Sequence, residues 1–100
     1  MELTTLPLLT IIAESVLRER LILELRRTGV KGYTVTDAAG DGSRHIRSGN
    51  LPGENVRIET ITTPDIANRL LDLLSVEFFP HFAIIAFVSD VRVVRGAKYV

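Results

Sequence analysis

The chain has 100 residues, of which 46% are hydrophobic and 24% charged, enough for one domain with a two-layer core. Twelve basic residues balance twelve acidic ones, so no whole-molecule field draws it to nucleic acid or to a membrane surface. Cysteine and tryptophan are absent and His45 and His81 are the two histidines, which excludes disulfides and thiol chemistry, weakens any base-stacking role and argues against a histidine-rich metal site.

The N-terminal Met-Glu-Leu-Thr-Thr-Leu-Pro carries no basic leader, and no apolar run approaches membrane-spanning length. A cytoplasmic protein with no direct membrane insertion is expected. Residues 6–13 form a continuous apolar run of strand length, the pattern of a strand covered on both faces. Ser15 is placed to cap a helix over residues 16–28, with Gly29 just beyond its end. Leu17, Leu21 and Leu25 make its inward stripe, while Val16 and Leu23 fall off it. Arg26 and Arg27 occupy the last turn, where they face the negative end of the helix dipole.

A second strand, residues 33–36, runs into a long loop spanning residues 37–55. A loop of that length within a compact domain tends to be functional or disordered. Its first half concentrates groups suited to a small anion. Gly40 and Gly42 let backbone N–H groups approach a ligand closely, Ser43 adds a hydroxyl, and Arg44 and Arg47 add two planar charged forks. Three residues apart, the forks can meet one ligand from the same side if the segment turns helically. This is a candidate anion site, with a nucleotide phosphate as the leading occupant. The same composition also describes an ordinary solvated loop, and a short Gly-x-Gly has neither the Rossmann spacing nor a P-loop lysine.

Leu51-Pro52-Gly53-Glu54 has the form of a type II turn closing the loop. Residues 56–62 then make a third strand, with Val56, Ile58 and Thr60 alternating against Arg57 and Glu59. Thr63-Pro64-Asp65 starts a second helix with a hydroxyl cap, a proline in the first turn and an acid. Its core stripe is Ile66, Leu70, Leu73 and Leu74, widened by Ala67 and Leu71, and Pro80 stops it. Residues 82–88 form the last main strand, extended or continued by 91–94, and Tyr99 and Val100 make a short tail contact.

The order β-α-β-β-α-β defines an α+β fold of the ferredoxin-like kind, a single domain over residues 1–100 in which two helices cover one face of a four-stranded antiparallel sheet. Two strands that are apolar on both sides leave side chains such as Ile85 and Phe87 on the uncovered face, where monomers rarely tolerate them. Burial against other copies resolves this, and a homotrimer is the expected closed solution.

Gly-Tyr-Thr-Val at positions 32–35, followed by Gly42-Ser43-Arg44-His45-Ile46-Arg47, closely resembles the Gly-Tyr-Thr-Val…Gly-Ser-Arg-Asn-Val-Arg signature of PII-like signalling proteins, specifically their SbtB-type and carboxysome-associated branch. Glu14 after the first strand, Arg57-Ile58-Glu59 in the third and Gly96 near the end also fit, so the resemblance covers nearly the whole chain. It implies a trimer binding adenine nucleotides in clefts between subunits, with the long loop, the T-loop of that family, closing over the phosphates and facing a partner. It further implies that Ser43, Arg44, Arg47 and the neighbouring Gly42 contact phosphate and that Gly32, Tyr33 and Thr34 border the nucleotide. Ile85, Ala86, Phe87 and Val88 would supply the opposite wall. The implied partner is a membrane bicarbonate transporter or a carboxysome-linked protein, with bicarbonate as a second ligand. Asp41 stands where some members have lysine and disfavours a triphosphate, so AMP or ADP is expected over ATP or cyclic AMP. His45 stands in place of asparagine. The cysteine-bearing tail of some members and the modified tyrosine and glycine-rich phosphate loop of classical nitrogen sensors are missing, so tail redox control and 2-oxoglutarate sensing are not implied.

Two other classes remain open. An enzyme hydrolysing nucleotides would need a positioned nucleophile or a metal with a general base, for which Asp37, Asp41 and Glu59 are the available acids; a non-enzymatic regulator without cofactor or metal is preferred, with weak hydrolysis left open. A structural or metal-tolerance trimer of the same fold would use His45 or His81.

Overall fold

A computed structural model describes residues 1–40 and 54–100. Four strands, β1 (Thr4–Glu14), β2 (Thr34–Ala38), β3 (Asn55–Ile61) and β4 (Ile85–Val93), form one antiparallel sheet in the order β2-β3-β1-β4. Helix α1 (Arg18–Thr28) follows β1, and α2 (Pro64–Glu77) follows β3. Single-residue alternation along the strands then decides which side chains meet the helices. Ile58 stands opposite both Val35 and Ile11, and Ile11 opposite Ala86. This rung belongs to the helix-covered face, where Leu9, Ile11, Ala13, Val56 and Ile58 pack with Leu17, Leu21, Ile22, Leu25, Leu70, Leu74 and Phe78.

The apolar stripe expected on α1 is buried as a set, with Ile22 added to it. Val16 and Leu23 are exposed, Val16 at 82%, so the back of α1 has no cover among the described residues. Ser15 is not the cap of α1. It opens a 3-10 turn, Ser15–Leu17, and α1 begins from Leu17 without a side-chain cap. The Ser15 N–H instead donates to the Glu54 carbonyl at 2.8 Å, tying the end of β1 to the start of the β3 segment. At the other end Gly29 takes the left-handed conformation, φ 104°, and its N–H donates to the carbonyls of Leu25 and Arg26. A residue with a Cβ would be strained there.

Helix α2 starts as its sequence requires. The Thr63 hydroxyl accepts from the Ile66 N–H at 3.2 Å, and Pro64 lies in the first turn. Phe78, at the C-cap, is buried beneath the Arg20 guanidinium, 4.8 Å from its ring centroid, which joins the end of α2 to the beginning of α1. The last strand differs from expectation. Phe82 and Ile84 pack against the core from an irregular segment, and β4 runs unbroken from Ile85 to Val93. Its long pairing with β1, Thr4 opposite Val93 through Ile12 opposite Ile85, carries it past the polar pair Ser89 and Asp90. A short 3-10 turn, Gly96–Tyr99, follows.

Candidate nucleotide-binding rim

Gly32 and Tyr33 lead into β2, an outer strand of the sheet, and Thr34 is its first residue. Three contacts hold this strip from the helix side of the sheet, the third of them solvent-exposed. The Thr60 hydroxyl on β3 donates to the Gly32 carbonyl at 2.7 Å. The Tyr33 ring packs on the helix-side core. Arg26 Nη2 in the last turn of α1 donates to the Tyr33 hydroxyl at 3.0 Å, and its guanidinium carbon lies 5.8 Å from the ring centroid. Gly32 answers no internal crowding, since a Cβ added there would meet nothing within 4 Å. The same is true of Gly40 at the root of the loop. The backbone at Gly32 thus borders open space while being held firmly behind.

The register sets the remaining candidates against this strip. On the open face, Thr34 stands opposite Glu59, Glu59 opposite Thr10, and Thr10 opposite Phe87. In the next rung Thr36, Arg57, Ile12 and Ile85 follow one another. Arg57 and Glu59 are joined across the open face at 3.4 Å. Ile85 and Phe87 therefore lie level with Thr36 and Thr34, but at the far edge of the sheet. Ala86 and Val88 turn to the helix side. Three strand spacings of about 4.8 Å separate β2 from β4, about 14 Å in all. A group the size of one phosphate cannot touch both edges of one protomer.

Gly42, Ser43, Arg44 and Arg47, the candidate anion-binding group, lie outside the described residues, as do the first three residues of the turn expected at 51–54. The roots of that segment are placed: Ala38 is opposite Asn55, and Asn55 opposite Glu14. The strand before it, β2, runs to Ala38, two residues beyond the expected end, because pairing with β3 continues to that rung.

Among the described residues, the acids available to an enzymatic reading do not converge. Asp37 is opposite Val56 on the helix side, whereas Glu59 is on the open face with Arg57; Asp41 lies outside the described residues. Among the described residues no group of three or more His, Cys, Asp or Glu side chains is placed to hold a metal ion. His81 lies just past α2, its backbone N–H bonded to the Phe78 carbonyl at 3.0 Å, and His45 is outside the described residues. No helix among the described residues is long and apolar enough to cross a membrane. Two residues the sequence did not single out for the rim, Arg26 and Thr60, prove to hold it. The seven-residue step from Arg26 to Tyr33 spans a helix end and a turn, where no simple periodicity operates, and the last-turn position of Arg26 already had a sufficient electrostatic explanation.

Residues 6–98 match the family model of the nitrogen regulatory protein P-II. The chain belongs to the PII family. A protein of Thermus thermophilus described as a PII-like signaling protein is 54% identical over the full length of both chains, with a TM-score of 0.86. CPII of Thiomonas intermedia K12, solved with ADP and bicarbonate, is 31% identical, with 99% of this chain and 98% of that one covered and a TM-score of 0.89. CPII solved with ADP, AMP and acetate is 30% identical over the same shares, with a TM-score of 0.86. The four-stranded sheet with two helices on one face is the ferredoxin-like PII fold, and the chain is a PII-like regulatory protein.

Proposed function

We propose that this PII-family protein is a homotrimeric sensor of adenine nucleotides, with AMP or ADP preferred over ATP and cyclic AMP. In this reading the nucleotide lies between protomers, bordered by Gly32, Tyr33 and Thr34 of one and by Ile85, Ala86, Phe87 and Val88 of the next. Gly42, Ser43, Arg44 and Arg47 hold its phosphates. The segment between β2 and β3, expected from the sequence as a loop over residues 37–55, signals occupancy to a partner through its order, as differential binding to two loop states requires. The resemblance to the SbtB-type and carboxysome-associated branch supports a bicarbonate transporter or a carboxysome-linked protein as that partner, with bicarbonate as a second ligand.

The observation that carries this reading is the division of the rim between opposite sheet edges, level in register, with Ile85 and Phe87 left exposed in the single protomer. ADP, AMP and bicarbonate bound to CPII support the ligand class. Calorimetric titration with ADP, AMP, ATP, cyclic AMP and bicarbonate tests it. A charge-assisted hydrogen bond contributes about 1.5–3 kcal/mol, so Arg47→Ala should weaken AMP or ADP binding on the order of 10- to 100-fold. Unchanged affinity in that variant would remove the phosphate assignment.

A further inference from the structure

The rim has a solvent-exposed support on the helix side of the sheet, between Arg26 and Tyr33. Arg26 and Arg27 are neighbours in the last turn of α1 and contribute alike to the helix terminus. Their side chains part company beyond that. Arg27 pairs with Glu24 on the same helix at 3.5 Å. Arg26 leaves its helix, donates to the Tyr33 hydroxyl at 3.0 Å and lies over the face of the same ring. Tyr33 is bracketed by Gly32, whose carbonyl is held by Thr60 and whose Cα faces open space, and by Thr34, whose side chain lies on the open face. One contact thus joins a helix end to the middle residue of a strip whose two flanking residues point to where a ligand or a neighbouring copy would stand.

We propose that Arg26 is a positioning residue for nucleotide binding: by clasping Tyr33 through hydroxyl and ring, it holds residues 32–34 in the conformation the adenine nucleotide meets. This rests on the cleft reading above but assigns Arg26 no contact with the ligand. A planar guanidinium suits the task because its fork holds the hydroxyl at 3.0 Å while its charge lies 5.8 Å from the ring centroid. With the strip held before binding, the ordering cost on binding falls, and that difference appears as affinity.

The test is a calorimetric ADP titration of the full chain as wild type, Arg26→Met, Arg27→Met, Tyr33→Phe and the Arg26→Met/Tyr33→Phe pair, with ligand-free melting temperatures for each. Arg26→Met and Tyr33→Phe should each weaken binding about three- to tenfold, and the pair should lose no more than the worse single variant, since they break one contact. Arg27→Met should bind as wild type. A melting-temperature loss in Arg26→Met with unaltered affinity would reduce the contact to fold stability and overturn the proposal. Equal affinity losses in Arg26→Met and Arg27→Met would do the same by assigning the effect to shared charge. Tyr33 offers a readout that needs no ligand. The chain has two tyrosines and no tryptophan, so a Tyr99→Phe background isolates Tyr33 emission. That emission should differ between added Arg26→Met and added Arg27→Met; identical emission would show the clasp absent in solution. Wild-type protein that binds no adenine nucleotide would overturn the cleft reading and this proposal together, whereas intact binding in Arg26→Met overturns this one alone.

Discussion

Replacing Ile85 and Phe87 by serine removes the two large apolar side chains that β4 leaves on the open face of the sheet. Their exposure gives the magnitude. Ile85 keeps 56% and Phe87 41% of its surface in the single protomer, although Phe87 stands opposite the buried Thr10. Full burial of such a side chain stabilises by about 1.5–3 kcal/mol. Covering the fractions still exposed is therefore worth about 1.5–3 kcal/mol per protomer and about 4–9 kcal/mol over three. At about 1.4 kcal/mol per factor of ten, losing it should lower the trimerisation constant by about 10³- to 10⁶-fold. Size-exclusion chromatography with light scattering reads this directly. Wild type should run at about 33 kDa, three times the 11.1 kDa chain, and the double variant should fall towards the single-chain mass at low micromolar concentration. Far-ultraviolet circular dichroism should show the sheet and helices retained, because the core on the helix side is untouched. A wild-type mass of one chain, or a double variant that stays trimeric on dilution, would refute the assignment of this face.

Three further outcomes follow from single contacts. Gly32→Ala meets nothing within 4 Å and should leave the ligand-free melting temperature unchanged or slightly raised while ADP affinity falls, since only a ligand or a neighbouring copy would notice the new methyl; calorimetry with and without ADP separates the two effects. Gly96→Ala places a Cβ 2.5 Å from the Thr4 Oγ1 and 2.6 Å from its Cβ, so backbone must move and the Gly96–Tyr99 turn should detach from β1, at a cost of about 1–3 kcal/mol read as faster hydrogen exchange in that turn. Thr62 is wholly buried with a hydroxyl that finds no partner among the described residues, so Thr62→Val should stabilise by about 1 kcal/mol and raise the melting temperature by about 4–8 °C.

What the sequence reveals and what it conceals divide along physical lines. Periodicity settles which residues face inward wherever one layer covers one face: Leu17, Leu21 and Leu25 on α1, and Val56, Ile58 and Thr60 on β3, are buried as a group. Local chemistry settles the starts and stops that use it, such as the Thr63 cap and Gly29. Ser15 misleads because a hydroxyl ahead of an apolar stripe is a cap only if the chain enters the helix there, and the backbone bond to Glu54 accompanies a 3-10 entry instead. The end of β2 and the start of β4 escape the sequence for a shared reason. Strand limits are set by the partner strand, and pairing of Ala38 with Asn55 and of Ile85 with Ile12 is a tertiary fact. Residues 32–34 stand out in the sequence through their glycine and motif, whereas the contacts that Arg26 and Thr60 make with them act across 7 and 28 positions of chain.

The division of the rim between sheet edges has a thermodynamic consequence for the proposed sensor. A ligand that needs β2 of one protomer and β4 of another binds the assembly and not the single chain. By linkage, it must then stabilise the assembly by as much as assembly improves its binding. Nucleotide and protein concentration therefore act on one equilibrium: ADP should keep the trimer assembled to lower protein concentration, and the Ile85→Ser/Phe87→Ser variant should lose ADP affinity in step with its mass. The Arg26–Tyr33 clasp falls on the other side of this division, because Arg26, Tyr33, Thr60 and Gly32 all belong to one protomer. A defect there should weaken nucleotide binding at constant oligomer mass. Loss of affinity with loss of mass and loss of affinity without it thus separate the two halves of the site.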